Sequence, residues 1–223
     1  LAPMTFSWQV PKKNTEIEKF SFSSSKIGLQ NLSLFALNLP LPSRIRQIIE
    51  QSEPRGELND VSITWSENKS TIPLVGGLIS GQGPKFDVSG KLNNVSVKRY
   101  QDIVPGITNL TGKILANQDQ GNIDLNSKNL QLVIDGFLAD PKMNFDTVKG
   151  KVNWSLKNKQ WLIGLDDLAV ANKDLALNTK GSYLIGKEKN PDSMDLAIQF
   201  DRAEIQTIFR YLPSEMSKDA RSY

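Results

Sequence analysis

Hydrophobic and polar residues alternate with a period of two along most of the chain. Val148, Val152 and Trp154 share one parity, whereas Lys149 and Lys151 share the other. Because successive side chains of a strand point to opposite faces, this pattern predicts strands with one apolar and one solvated face. The same alternation recurs in residues 86–92, 110–116, 123–125, 130–132, 163–165, 168–170, 175–177 and 194–200.

Turn signals separate these runs, which recur about every 8–14 residues and so favour an antiparallel meander over βαβ units. The apolar phase also slips once, after Asn93-Asn94, where it moves to Val95 and Val97. This slip predicts a bulge or a turn. The turn signals are Gly76-Gly77, Pro105-Gly106, Gln120-Gly121, Asp135-Gly136, Asn158-Lys159 and Asn190-Pro191.

Two segments have helical spacing instead. Ile45, Ile48 and Ile49 predict a short helix that begins near Pro42. A second helix is expected from Arg202 to Tyr211, before Pro213. A Leu-Pro pair precedes a short helix at both places, which is either a coincidence or the sign of a long internal repeat.

Composition removes most catalytic chemistry. The 223 residues include neither Cys nor His, which excludes thiol nucleophiles, disulfides, and metal sites or acid–base catalysis based on these residues. The net charge is only +3, from 27 basic and 24 acidic residues, and the richest basic run is Lys12-Lys13. We therefore expect no nucleic-acid partner. No apolar stretch is long enough to span a bilayer, and no signal peptide is recognisable at the start.

Three candidate sites fail on inspection. The glycine-rich stretch 76–83 lacks the Lys-Ser/Thr of a phosphate loop and favours a mobile loop. Asp166 and Asp167 would point to opposite faces of a strand, so a turn or strand end is the better interpretation. The stretch Asp119 to Asp124 lacks calcium-loop spacing. We expect no enzyme, no catalytic residue, no cofactor and no metal site.

The apolar strand faces allow two architectures. They could close on each other in a sandwich, which would make them core. Alternatively, one continuous sheet could curl into an open trough whose apolar face needs a ligand, because exposed apolar surface is unfavourable. An acyl chain fits this need, since a 16-carbon chain gains roughly 12 kcal/mol on burial. Periodicity alone leaves both architectures open.

The order of several short motifs favours the trough. Taken together, over about residues 30–220, they resemble the YhdP family of AsmA-like proteins of Gram-negative bacteria. The motifs are Leu39-Pro40-Leu41-Pro42, the segments 53–61 and 63–65, Val104-Pro105-Gly106-Ile107, the segments 108–114 and 121–125, Gly150-Lys151-Val152-Asn153-Trp154, the segment 168–174, and Arg210-Tyr211-Leu212-Pro213.

This resemblance implies a mainly β fold: an elongated, curled antiparallel sheet that forms a hydrophobic groove. The short helices around 43–51 and 202–210 would cross the groove or cover its mouth. The family is associated with phospholipid transport between the inner and outer membranes and with the outer-membrane permeability barrier. The resemblance therefore implies phospholipid acyl chains as partners, and a periplasmic segment of a protein anchored in the inner membrane by parts outside this chain.

The whole chain, 1–223, is expected to be one segment of a longer repeating groove. Residues 1–38 would end a preceding repeat, 39–210 would form one repeat series, and 211–223 would start the next. The alternative is a structural or adhesive β-rich module with a closed core.

Inner-face parity predicts the residues that line the groove, although plain core packing is the alternative for each of them. The predicted lipid-binding residues are Val88, Leu92, Leu110, Ile114, Ile123, Leu125, Leu132, Val152, Trp154, Ile163, Leu165, Leu175, Leu177, Leu196 and Ile198.

Overall fold

A computed structural model describes residues 3–9, 17–38, 43–68, 85–101, 104–134, 140–158, 160–186, 191–204 and 206–211. The described residues form ten strands, two α-helices and one 3-10 turn. The elements are β1 (Met4–Gln9), β2 (Ile17–Gly28), α1 (Leu29–Leu37), α2 (Ser43–Ser52), β3 (Arg55–Asn68), β4 (Lys85–Val97), β5 (Gly106–Asn117), β6 (Gln120–Val133), β7 (Lys142–Lys157), β8 (Gln160–Ala171), β9 (Leu175–Leu184), β10 (Ser193–Ala203) and the 3-10 turn Ile208–Tyr211.

All ten strands belong to one antiparallel sheet, and their order in the sheet is their order in the chain. β1 and β10 are not paired with each other, so the curled sheet is open. At about 4.8 Å between neighbours, nine spacings make a sheet roughly 43 Å wide. The predicted meander is confirmed, and the described strands form no second sheet that could close a sandwich.

Both α-helices lie in the connection between β2 and β3. α2 is the helix predicted from the isoleucine spacing, and its Ser52 carbonyl accepts a hydrogen bond from Lys98 N at 2.6 Å, which ties it to the end of β4. α1 contacts β2, β3 and α2. The sequence pattern does not predict α1, because its leucines lie on several sides of the helix and leave little helical periodicity to detect.

The helix predicted from Arg202 to Tyr211 is wrong over its first part. Arg202 and Ala203 pair with Ala176 and Leu175 as the end of β10. Among the described residues that follow β10, the chain forms a 3-10 turn at Ile208–Tyr211. The sheet ladder outcompetes the helical spacing here because β9 offers unpaired backbone groups along this stretch.

The turn predictions had mixed outcomes. β5 and β6 are joined by residues 118–119, so Gln120-Gly121 is already strand. Asn117 Oδ1 accepts hydrogen bonds from the backbone N–H of Asp119 and Gln120, at 3.0 and 2.9 Å, and this Asx turn sets the reversal. Several predictions fall outside the described residues: the turns at Gly76-Gly77 and Asp135-Gly136, the glycine-rich loop 76–83, Asn190, Lys159 and residues 39–42.

A recurring bulge shapes the sheet. In each of five strands, one pair of side chains on the same face is spaced by three positions instead of two. The residue just before the second of the pair has a left-handed backbone. Such bulges bend a strand and increase its twist. The left-handed residues, each an Asp or Asn, are Asp60 (φ +50°), Asn94 (+50°), Asn109 (+63°), Asn129 (+52°) and Asp167 (+46°).

The bulge predicted at Asn93-Asn94 is therefore confirmed, with a register shift between Leu92 and Val95. The turn or strand end predicted at Asp166-Asp167 is wrong. Both residues lie inside β8, and a register shift occurs between Leu165 and Leu168. The left-handed conformation of Asp167 explains how the apolar alternation changes phase there.

Side chains take up the backbone groups that the bulges release from the ladder. Thr111 Oγ1 accepts from Asn94 N at 3.1 Å, and Ser96 Oγ accepts from Asn109 N at 3.2 Å. The fully buried Ser127 hydroxyl accepts from Thr111 N at 2.8 Å and donates to Thr111 O at 3.0 Å. The bulges of β4, β5 and β6 are thus hydrogen-bonded structure and not local defects.

We predict that Asn129→Val lowers the free energy of unfolding by about 1–2 kcal/mol, because a β-branched residue is unfavourable in the left-handed region. Asn129→Gly should be close to neutral. Asn126→Val, on the same strand, is the control and should stay within about 0.5 kcal/mol. Urea unfolding monitored by circular dichroism measures all three, and an equal loss in Asn126→Val and Asn129→Val would contradict the role of the left-handed backbone.

Candidate functional site

One side of the sheet is apolar across all its strands, and we call it the apolar face. Residues paired across strands share a face, so the register traces it. One row runs from β4 to β8 as Val88, Ala116, Gly121, Trp154 and Ile163. The opposite side, the polar face, carries mostly Lys, Asp, Asn and Ser. The apolar face is therefore continuous across strand boundaries.

All fifteen predicted groove residues lie on the apolar face, as the register and the alternation along each strand show. Leu175 is buried and Ile198 is 49% exposed. The other thirteen are half-buried. They belong neither to a sealed core nor to a fully solvated surface, and their contact with lipid stays a prediction.

Exposure on the apolar face is greatest at the two edges of the sheet. On β1, Met4, Phe6 and Trp8 are 55–60% exposed, and on β10, Met194 and Phe200 are about half exposed. An edge strand has a neighbour on one side only, so its side chains are less covered. Phe6 also makes an edge-to-face contact with Phe20 of β2, with ring centroids 5.0 Å apart.

A buried cluster occupies the apolar face at one end of β6 and β7. Leu130, Met143, Phe145 and Val148 are each less than 9% exposed and form its centre. None of these four is among the predicted groove residues. Val148 shares the parity of Val152, and Leu130 shares that of Leu132, so the alternation was the signal that could have found both. Met143 and Phe145 have the other parity and lie beyond the phase change before Val148. The residues packed around the centre are Ile107, Leu110, Leu125, Leu132, Leu168, Val170 and Tyr211.

Glycines leave room for large side chains on the apolar face. A Cβ on Gly121 would lie 2.4 Å from the Trp154 ring, so the indole occupies the space that a side chain at this position would need. Trp154 therefore covers Gly121 on the apolar face. Other strand pairs also place a glycine opposite a large apolar residue, since Gly90 pairs with Ile114 and Gly181 pairs with Leu165 and Leu196.

One buried hydroxyl interrupts the apolar face. Thr179 is 8% exposed and pairs with Leu168 and Ile198. Within the described part of the chain its Oγ1 has no hydrogen-bond partner. Leaving a buried polar group unpaired costs about 1–3 kcal/mol, so this position carries a local cost in stability.

Beside the buried cluster, β8 ends earlier than β7. The last residue of β8, Ala171, pairs with Thr147, so residues 142–146 of β7 have no β8 partner. We call the resulting gap, bounded by residues 140–146, 172–174 and 210–211, the notch. It encloses a cavity of about 330 Å³.

Hydrogen bonds hold the 3-10 turn in the notch. Asn172 Nδ2 donates to Asn144 O at 2.7 Å and to the Tyr211 hydroxyl at 2.8 Å, and that hydroxyl donates to Asp174 Oδ2 at 3.2 Å. Asp140 N donates to Arg210 O at 3.2 Å. Burial, more than any other influence, raises the pKa of the Tyr211 phenol. The turn therefore covers one end of the apolar cluster.

The polar face carries a cavity of about 640 Å³, lined from β3 to β8 by residues such as Ser62, Ser89, Asn122 and Asn153. It lies near the strand ends opposite the buried cluster. A strongly twisted sheet is saddle-shaped, so a concavity on each face is expected. Cross-strand ion pairs run over this face, including Lys91 with Asp60 at 2.6 Å.

Among the described residues no cluster of acidic side chains could hold a metal ion. Several carboxylates of the polar face form ion pairs instead. The Glu57 carboxylate lies 2.8 Å from the Lys26 ammonium, and the hydrogen bond from this ammonium is the main cause that lowers the pKa of Glu57. Neither described α-helix is long and apolar enough to cross a membrane, and no other described segment forms one that is.

These features define a class: an open, curled antiparallel sheet that presents one apolar face across its strands, with one end of that face partly covered. A family model described as YhdP protein matches residues 1–223, and the chain therefore belongs to the YhdP family. No curated protein and no solved structure matches the chain.

We predict that Tyr211→Phe lowers the free energy of unfolding by about 1–3 kcal/mol at pH 8, because the buried Asn172 and Asp174 each lose a partner. The raised pKa means that the folded state favours the protonated phenol. This contribution is full below about pH 10, the pKa of an unfolded tyrosine, and is lost as the pH rises through the folded value.

The native chain should therefore lose more stability between pH 9 and pH 11.5 than Tyr211→Phe does. Urea unfolding at both pH values measures the difference, and Tyr100→Phe is the control for removing a tyrosine elsewhere. An identical alkaline loss in the native chain and in Tyr211→Phe would show that Tyr211 does not couple to folding.

Proposed function

We propose that this chain is a segment of a lipid-transport protein in which phospholipid acyl chains lie on the apolar face. The observation that carries the proposal is that this face continues across ten strands with no second sheet of described residues over it. Membership of the YhdP family supports it. The chemistry is binding and passage, with no bond made or broken.

The free energy of acyl-chain burial is sufficient for this function. Each CH₂ group that leaves water gains about 0.8 kcal/mol, so a 16-carbon chain gains roughly 12 kcal/mol. A lipid leaving a bilayer already has its chains in hydrocarbon. The face therefore needs only to match that environment, and half-buried aliphatic side chains such as Val152, Ile163 and Leu165 supply it.

Movement along the face requires similar affinity at each step, because a deep local minimum would trap the lipid. The aliphatic rows have no fixed polar partner for most of their length, which suits this requirement. The Thr179 hydroxyl is a polar side-chain group on these rows, and its burial keeps it out of reach of a passing lipid.

The cellular location and the route of the lipid follow from the same proposal. The chain would act in the periplasm, within a protein anchored in the inner membrane, and carry phospholipid between the inner and outer membranes to maintain the outer-membrane barrier. The division of the segment at residues 38/39 and 210/211 into repeat parts stays a prediction, as does the absence of catalytic activity.

A single introduced cysteine tests access to the face, since the chain has none of its own. In delipidated protein, Val152→Cys should react with a water-soluble maleimide, and vesicles of phosphatidylglycerol and phosphatidylethanolamine should slow the reaction at least about tenfold, because the bound acyl chain excludes the reagent. Asn126→Cys, on the polar face, is the matched control and should react equally with and without lipid.

Two results would contradict the proposal. A Val152→Cys that stays unreactive in folded, delipidated protein indicates a closed core and favours the structural or adhesive module. A Val152→Cys that reacts at the same rate with and without lipid shows an open face that does not bind acyl chains. Native mass spectrometry of the purified chain should in addition detect bound phospholipid.

A further inference from the structure

The notch combines opposite charges in equal number. Its cavity is lined by the cations Lys142, Lys173 and Arg210 and by the carboxylates Asp140, Asp146 and Asp174. None of these six side chains joins an ion pair with another described residue. A ligand that carries one positive and one negative group can satisfy both sets at once, whereas a singly charged ligand satisfies only one.

Asp174 is the built part of this site. It is 9% exposed, and its Oδ2 accepts a hydrogen bond from the Tyr211 hydroxyl. Asp174 lines the cavity, and its carboxylate joins no ion pair with another described residue. A buried carboxylate is stabilised by a cationic partner, so Asp174 marks the place for a ligand ammonium.

The notch opens beside the buried apolar cluster. Met143 lines the cavity and belongs to the centre of that cluster, and Tyr211 lines the cavity while packing against the same cluster. Lys142 and Asp146 alternate with Met143 and Phe145 along β7, so their side chains start from the polar face, and the notch lies at the uncovered edge of β7 where the two faces meet. A ligand held there by its charged part can extend an apolar part past Met143 and around this edge onto the apolar face. This placement joins the headgroup chemistry to the acyl-chain chemistry.

We propose that the notch binds the zwitterionic headgroup of a phospholipid, with the ammonium of a phosphoethanolamine group at Asp174 and its phosphate at Lys142, Lys173 and Arg210. This inference rests on the proposed function, because it places the lipid's tails on the apolar face. A phosphatidylglycerol headgroup offers the phosphate but no cation, so Asp174 and its neighbouring carboxylates oppose it.

The test offers the chain both headgroups at once. The protein is incubated with vesicles of equal phosphatidylethanolamine and phosphatidylglycerol with identical acyl chains, re-isolated, and its bound lipid quantified by mass spectrometry. We expect phosphatidylethanolamine to be enriched about fivefold, which corresponds to about 1 kcal/mol.

Two variants should shift the ratio in opposite directions. Asp174→Asn keeps an acceptor for the Tyr211 hydroxyl and removes the negative charge, so the enrichment should fall to about one or reverse. Lys173→Gln removes an exposed cation and leaves the notch net negative, so phosphatidylglycerol should be rejected more strongly. The matched controls, Asp195→Asn and Lys180→Gln, change the same charges outside the notch and should leave the ratio unchanged.

The outcomes separate the two proposals. Bound lipid with no preference, or a ratio that responds to the controls as much as to the notch variants, overturns the headgroup site and leaves the groove intact. No bound lipid in any variant overturns both. Glycerophosphoethanolamine has the same headgroup without acyl chains and should bind at least about tenfold more weakly. Equal binding would assign the notch to a soluble phosphate ester and overturn the lipid site.

Discussion

The constraint on which this structure depends is that one face of a long, strongly twisted sheet must stay apolar from end to end. Strands of 10–16 residues build most of it, and twist accumulates along strands of that length. The Asp and Asn bulges reconcile the two demands. Each adds one residue, which bends the strand, and the left-handed backbone returns the next apolar side chain to the same face.

The bulges are hydrogen-bonded to one another, which makes them a property of the sheet. Ser127 and Thr111 exchange bonds across β5 and β6, and Asn109 Nδ2 donates to Asn129 O at 3.0 Å. Asn and Asp suit these positions because their short polar side chains tolerate the left-handed region. The curvature of the sheet is thus encoded by residues on the side of each strand that does not touch lipid in the proposed function.

The sheet combines two kinds of surface. The apolar face is largely aliphatic over most of its length, whereas the notch is charged, local and held in place by the hydrogen bonds of Tyr211. The notch exists because β8 stops at Ala171 while β7 begins at Lys142. An Asx turn sets that stop, since Asn172 Oδ1 accepts hydrogen bonds from Asp174 N and Leu175 N, both at 2.9 Å. The strand-length mismatch of five residues thus creates an edge of β7 where a buried carboxylate lies near the apolar cluster.

The sequence by itself determined the β class, the antiparallel order and the face to which each predicted groove residue belongs, because a period of two fixes side-chain direction once a strand forms. It also located the bulge at Asn94, where the phase slip is visible. It could not determine α1, whose leucines lack periodicity, or the end of β10, where the ladder with β9 overrode a helical spacing. Only the tertiary structure could assemble the notch, since Lys142, Asp174 and Arg210 are distant in sequence and meet where β8 stops short of β7 and the 3-10 turn packs into the gap.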